Sequence, residues 1–142
     1  MNSASASAWS LDPQLERDTA AIGDLTLARV LAMNDANYPW LILVPRRAGA
    51  VELIDLDDEQ QTQLMDEIAM LSHVLKDVTA CDKLNIAAIG NVVPQLHVHI
   101  VARRRGDAAW PRPVWGTASP RPYAPGELDR FVEMIRREVA FG

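Results

Sequence analysis

The segment Gln95-Leu96-His97-Val98-His99-Ile100-Val101 constrains the chain more than any other. Its polar and apolar residues alternate with period two, which suits an extended strand and no helix. In a strand the alternation sends Gln95, His97 and His99 to one face and Leu96, Val98 and Ile100 to the other. The apolar row is the core face, because only that row gains free energy by leaving water. The two histidines then stand about 7 Å apart along one row, with a glutamine in line. The chain has 3 histidines in all, so this row gathers most of its imidazole.

The flanking sequence reads as further strands and helices. Leu11 to Ile22 is expected to form a short helix, with Asp12 as N-cap, Pro13 at the first helical position and Gly23-Asp24 as its stop. Leu25 to Met33 and Trp40 to Val44 read as an antiparallel pair of strands across the turn Asn34 to Pro39. On the first of these, Leu25, Leu27, Arg29 and Leu31 fall on one face and Thr26, Val30 and Ala32 on the other. Asp57 opens the clearest helix, with Gln60 placed to complete a capping box. Leu64, Ile68, Leu71, Leu75 and Val78 make its apolar stripe. His73 lies off that stripe and is expected to face solvent, and Cys81 reads as a small packing residue. Lys83 to Gly90 and Gln95 to Ala102 are expected as further strands, with turn chemistry at Gly90-Asn91 and Pro94. Prolines crowd residues 106–125 into an irregular arm, and Gly126 to Phe141 closes the chain as a helix. The expected fold is α+β: one domain over residues 11–142, with a small, mainly antiparallel sheet, two main helices and a loose tail over residues 1–10.

At 142 residues, 49% hydrophobic and 23% charged, the chain suits one globular domain with a real core. Its single cysteine excludes an internal disulfide framework and a cysteine-only metal cage. No apolar run approaches the roughly 18–20 residues of a membrane helix, so no membrane partner is expected. The first ten residues lack the basic start and apolar stretch of a signal peptide, so a cytoplasmic setting is expected. A net charge of −5 argues against bulk nucleic acid as a partner. The distribution is uneven. Asp55 to Asp82 carries eight acids against Lys76, whereas Arg103 to Arg121 carries five arginines against Asp107. That basic stretch either faces a small anionic ligand or is a solvated arginine loop.

Three readings of the histidine row compete on residue types alone. The pair is structural, since histidines occur on half-exposed strands. Or it binds a metal, although a zinc site needs three or four protein ligands and none stands at useful spacing nearby. Or one imidazole attacks phosphorus while a second donates to the departing oxygen, with Arg103, Arg104 and Arg105 supplying charge.

The run from Val93 to Arg103 resembles the signature of the histidine triad family of nucleotide hydrolases and transferases, in which three histidines alternate with apolar residues. Met33-Asn34, Leu43-Val44-Pro45-Arg46, the long helix, Leu84-Asn85-Ile86 and Trp110-Pro111 agree in order, so the likeness covers roughly residues 23–115. The resemblance implies a histidine triad fold. It gives His97 as the nucleophile on the α-phosphorus, His99 as the contact to phosphate and leaving group, Asn34 near the ribose and Asn91 in the turn that meets the α-phosphate. The first motif histidine is replaced by Gln95, which is expected to fix the tautomer of His97. A second-strand histidine found in many members is replaced by Trp40. The implied activity is hydrolysis of a nucleoside phosphoanhydride or phosphoramidate, such as a dinucleoside polyphosphate, through a nucleotidyl-histidine intermediate. The implied partners are a purine nucleotide or dinucleoside polyphosphate and a second copy of the chain in a homodimer. No metal is expected in the protein itself, Mg²⁺ entering only with a polyphosphate substrate. A nucleotide sensor or adaptor and a nucleotidyl transferase are the alternative readings.

Overall fold

The strand that carries His99 lies inside a sheet and is covered on both faces. The computed structural model describes residues 8–142. Its strands are β1 (Thr19–Asp24), β2 (Ala28–Met33), β3 (Trp40–Pro45), β4 (Lys83–Ala87) and β5 (Val98–Arg103). They form one five-stranded sheet in the order β1-β2-β3-β5-β4, and every neighbouring pair is antiparallel. All residues of β3 and β5 are buried, as expected where neither face meets water.

One face packs on helices. The long helix α2 (Asp58–Thr79) begins with the expected capping box, in which the Asp57 carboxylate accepts from the Gln60 amide while the Gln60 side chain accepts from the Asp57 amide. Its stripe Leu64, Ile68, Leu71 and Leu75 is buried against Leu41, Leu43, Val98 and Ile100 of the sheet. Phe131, Val132 and Ile135 of α3 (Glu127–Arg136) complete this core, and Cys81 is part of it. His73 is exposed. The other face carries a second core of Leu31, Trp40, Ile42, Val44 and Val101, covered by Leu15 of the short helix α1 (Pro13–Asp18) and by Ala109 and Val114 of the proline-rich arm. None of the described helices is long and apolar enough to cross a membrane.

Several local expectations are corrected. The helix expected over Leu11 to Ile22 ends at Asp18, and Thr19–Asp24 is strand β1. Pairing Thr19 with Met33 and Ala21 with Leu31 satisfies the outer edge of β2 and buries Ile22, which a helix could not do. Gly23 is therefore no helix stop: a Cβ there would lie 2.6 Å from the Phe141 ring. The strand expected from Leu25 starts at Ala28, so Leu27 and Ala28 join the same core and the period-two reading fails across them. The cause is Glu67, which stands buried beside the apolar stripe of α2. Its carboxylate accepts the Leu27 and Ala28 amides at 2.9 Å each and the Gln63 side-chain amide at 2.7 Å. The expected strand Lys83 to Gly90 stops at Ala87, and the final helix stops at Arg136, with Val139 and Phe141 packing on as irregular chain. Residues 1–7 of the expected tail lie outside the described residues. Trp9 and Ser10 are docked, with the Arg29 guanidinium 5.0 Å from the Trp9 ring centroid.

Candidate functional site

β5 begins at Val98, so Gln95, Leu96 and His97 approach the sheet as an irregular lead-in. The alternation survives this shift. Leu96, Val98 and Ile100 are buried on the helix side, and the rings of His97 and His99 lie side by side with centroids 4.8 Å apart and planes at 72°.

His97 Nδ1 lies 2.7 Å from the main-chain carbonyl oxygen of Gln95. A carbonyl oxygen can only accept, so Nδ1 carries a proton and, in the neutral ring, Nε2 keeps a free lone pair. This corrects the expected role of Gln95, because its backbone and not its side chain sets the tautomer. Its side-chain amide is committed elsewhere. Oε1 accepts the Asp12 amide at 2.8 Å, and Nε2 donates to the Ser10 carbonyl at 2.9 Å. The Gln95 carbonyl shares a rigid peptide plane with the Leu96 N–H, and that N–H is anchored on the Ala50 carbonyl at 3.0 Å. The carbonyl facing His97 is thus held from the core side and from the N-terminal segment.

His99 is oriented by a different device. Trp40 on β3 is the neighbouring strand's residue, and its Nε1–H donates to His99 Nδ1 at 3.0 Å. An indole nitrogen only donates, so Nδ1 of His99 is bare and Nε2 carries the proton. The His99 ring is packed between Trp40, 5.7 Å away, and Trp115 of the arm, 5.2 Å away. Burial there, with the charge of His97 adding to it, pushes His99 down to about 3. Together the pair offers one imidazole with an unprotonated Nε2 and one neutral imidazole with an Nε2–H donor.

His97 lines a cavity of about 510 Å³ with Glu52, Leu53, Ile54, Ile89 and Gly90. The arginine stretch is not part of it. Arg103 ends β5, about 20 Å along the strand direction from His97, and is buried. Its guanidinium is bidentate on Asp107 at 2.8 and 2.9 Å and donates to Asn85 at 2.7 Å. Tyr38 and Trp110 flank it. Arg104 donates to the Thr79 and Ala80 carbonyls at the end of α2, and Arg105 faces Asp82. These arginines hold the start of the arm.

Asn34 does not line the His97 cavity. It borders a different cavity, beside Trp40 and Trp115, and its Oδ1 accepts the Tyr123 amide at 3.0 Å, which ties the β2–β3 turn to the arm. Asn91 is exposed and adjoins Gly90 of the His97 cavity. The sequence reading missed Trp115 and the Ser10–Asp12 segment. Trp110 and Trp115 in an otherwise irregular arm were the available signal that the arm covers an apolar face. Among the described residues, no three His, Cys, Asp or Glu side chains gather as a metal cage.

The family described as HIT domain matches residues 14–106. A histidine triad protein of Bradyrhizobium japonicum is 60% identical, with 94% of this chain and 100% of that chain covered and a TM-score of 0.92. A histidine triad (HIT) protein of Sinorhizobium meliloti is 44% identical, with 92% and 97% covered and a TM-score of 0.89. Diadenosine triphosphate hydrolase of Plasmodium falciparum shares the fold at 14% identity, with 93% and 82% covered and a TM-score of 0.56. No curated protein sequence matches the chain.

The depressed basicity of His99 has a consequence for stability. The unfolded chain binds a proton at His99 near pH 6.5, and the folded chain refuses it until about pH 3. This contribution is therefore constant above pH 6.5 and is lost progressively as pH falls below it. His99→Gln keeps an oxygen for the Trp40 N–H and removes the titration. Between pH 6 and 4, denaturant unfolding should show wild type losing up to about 1.4 kcal/mol per pH unit more than His99→Gln. Parallel pH profiles would contradict a neutral, buried His99.

Proposed function

The chain belongs to the HIT domain family, and on that premise we propose that it hydrolyses a nucleoside phosphoanhydride or phosphoramidate, a dinucleoside polyphosphate among the candidates, through a nucleotide bound to His97. The observation that carries this reading is the pair of opposite tautomers. The Gln95 carbonyl leaves His97 Nε2 unprotonated, and Trp40 leaves His99 Nε2 protonated, with the two rings 4.8 Å apart. A bare imidazole nitrogen attacks phosphorus without first losing a proton, and the neighbouring N–H can stabilise the charge that appears on the leaving group. His97 Nε2 bonds to the α-phosphorus as the bond to the leaving group breaks. The imidazolium so formed keeps its Nδ1–H on the Gln95 carbonyl. Water then attacks the same phosphorus, the N–P bond breaks with its electron pair returning to Nε2, and a nucleoside monophosphate and a proton are released. Dividing one displacement into two is the gain of covalent catalysis. Asn34 and Asn91 are proposed substrate contacts only by resemblance to the family, and Asn34 can serve as one through its Nδ2–H while Oδ1 holds the Tyr123 amide.

The test is a product screen over dinucleoside polyphosphates and nucleoside phosphoramidates. Wild type should release nucleoside monophosphate. His97→Asn should lower turnover on the order of 10³-fold or more, with nucleoside monophosphate affinity changed by less than about tenfold. Tight nucleotide binding without turnover, abolished by His97→Asn, would instead make the protein a sensor. Transfer to an acceptor other than water would appear as a nucleotidylated acceptor in place of free monophosphate.

We also propose that the protein is a homodimer joined at β4. Among the described residues that strand ends the sheet with one edge unpaired. Around it Ile86, Leu53, Met65 and Ile89 are all more than 40% exposed, and they are continuous with the His97 cavity through Leu53 and Ile89. An open edge flanked by apolar side chains favours pairing with an identical strand. Light scattering should give the mass of two chains at micromolar concentration, and Ile86→Lys with Met65→Glu should give one. A monomeric wild type would overturn the dimer.

A further inference from the structure

We propose that Trp40 makes His99 a hydrogen-bond donor that has no proton to give away, and that the site is thereby selective for phosphoanhydrides over phosphoramidates. The inference rests on the hydrolase reading above and narrows its substrate class.

The Trp40–His99 hydrogen bond decides where a second proton on His99 would have to sit. Protonating His99 requires a hydrogen on Nδ1, since Nε2 already has one. That position is occupied by the Trp40 Nε1–H, 3.0 Å away and unable to accept. A doubly protonated His99 would set two N–H groups against each other in a buried pocket, with the lost hydrogen bond and the buried charge both unfavourable. The ring has no room to turn away. Trp40 and Trp115 pack against it at 61° and 68°, and Trp40 also packs edge-on against Trp115 and Tyr38. Neither tryptophan carries charge, and a proton added to His97 would further oppose a second proton on His99. A histidine at position 40 would behave differently, because a neutral imidazole can accept a hydrogen bond as readily as it can donate one.

The consequence lies in the leaving group. When His97 displaces a phosphoanhydride, the P–O bond breaks and its electron pair leaves on the bridging oxygen. That oxygen becomes a terminal phosphate oxygen, stable as an anion at neutral pH, and it needs only a hydrogen bond. His99 supplies the bond through Nε2–H and keeps its proton. When His97 displaces a phosphoramidate, the P–N bond breaks and its electron pair leaves on nitrogen. An amine departs only if that nitrogen gains a proton in the step. Neutral His99 could deliver one only by becoming an imidazolate, and no imidazolium is available in its place. The site therefore lacks the general acid that amine departure needs, an element that contributes about 10²- to 10⁴-fold where it is present.

The experiment compares diadenosine triphosphate with adenosine 5′-phosphoramidate on the full chain, alongside a ¹⁵N spectrum of the histidine side chains without substrate. In wild type, His99 should remain in the neutral Nε2–H form down to pH 5, and kcat/KM for the anhydride should exceed that for the phosphoramidate by at least about 10²-fold. Trp40→His should move this ratio by about tenfold or more towards the phosphoramidate, with phosphoramidate kcat rising as pH falls. The spectrum needs no variant, so a failure of Trp40→His to fold leaves the lock measurable. A doubly protonated wild-type His99 at pH 6, or equal use of the two substrates, would overturn the proposal. So would a folded Trp40→His with an unchanged ratio. Turnover of neither substrate removes the hydrolase reading and the selectivity with it, while the spectrum separately decides whether Trp40 holds His99 neutral.

Discussion

Everything at the site follows from two central strands, β3 and β5, that are dry on both sides. A histidine on a half-exposed strand can exchange protons and tautomers through water. Here α2 and α3 cover one face, while α1 and the proline-rich arm cover the other, so β3 and β5 are buried throughout. Buried polar atoms need protein partners, and each histidine has found one for Nδ1. The two partners differ in kind. One is a carbonyl that only accepts, and the other is an indole N–H that only donates. Opposite partners impose opposite tautomers, and burial of His99 between Trp40 and Trp115 adds to the asymmetry of two identical side chains.

The residues that look most chemical in the linear sequence build the cover. Arg103 is buried and clamped by Asp107, Asn85 and two aromatic rings. Such a pair gives the arm a fixed root, since removing Asp107 would leave an uncompensated buried charge. Asn34 holds the Tyr123 amide, while the neighbouring Asp35 and Asn37 bond the backbone at Arg121 and Ser119. The β2–β3 turn is therefore a clasp for the arm, and the arm brings Trp115 onto His99. Gln95 works in the same way on the other side, fastening the N-terminal segment with both ends of its amide.

The fold was legible wherever one interaction dominates the local sequence. The Asp57 capping box and the stripe on α2 appear as read, and so does the division of Leu96, Val98 and Ile100 from the histidines. It was illegible where a distant group overrides local pattern. Thr19–Asp24 carries no strong strand signal and becomes β1 because β2 needs an edge partner. Leu27 and Ala28 break alternation because the Glu67 carboxylate, forty residues away in sequence, takes both amides. At the site, the side-chain chemistry of His97 and His99 could be read, but the partners that fix their protons could not. One partner is a main-chain carbonyl, which every residue has. The other is Trp40, whose sequence signal was only that it stands where many family members carry histidine.

The proposed hydrolysis turns on a covalent bond between His97 Nε2 and phosphorus. The direct measurement is single-turnover reaction with diadenosine triphosphate, stopped in denaturant at alkaline pH, where an N–P bond survives, followed by peptide mass spectrometry. The expected result is an adenylyl group on His97, appearing and decaying at rates that account for monophosphate release. An adenylyl group on another residue, or monophosphate formed at full rate with no adduct at any time, would contradict the account.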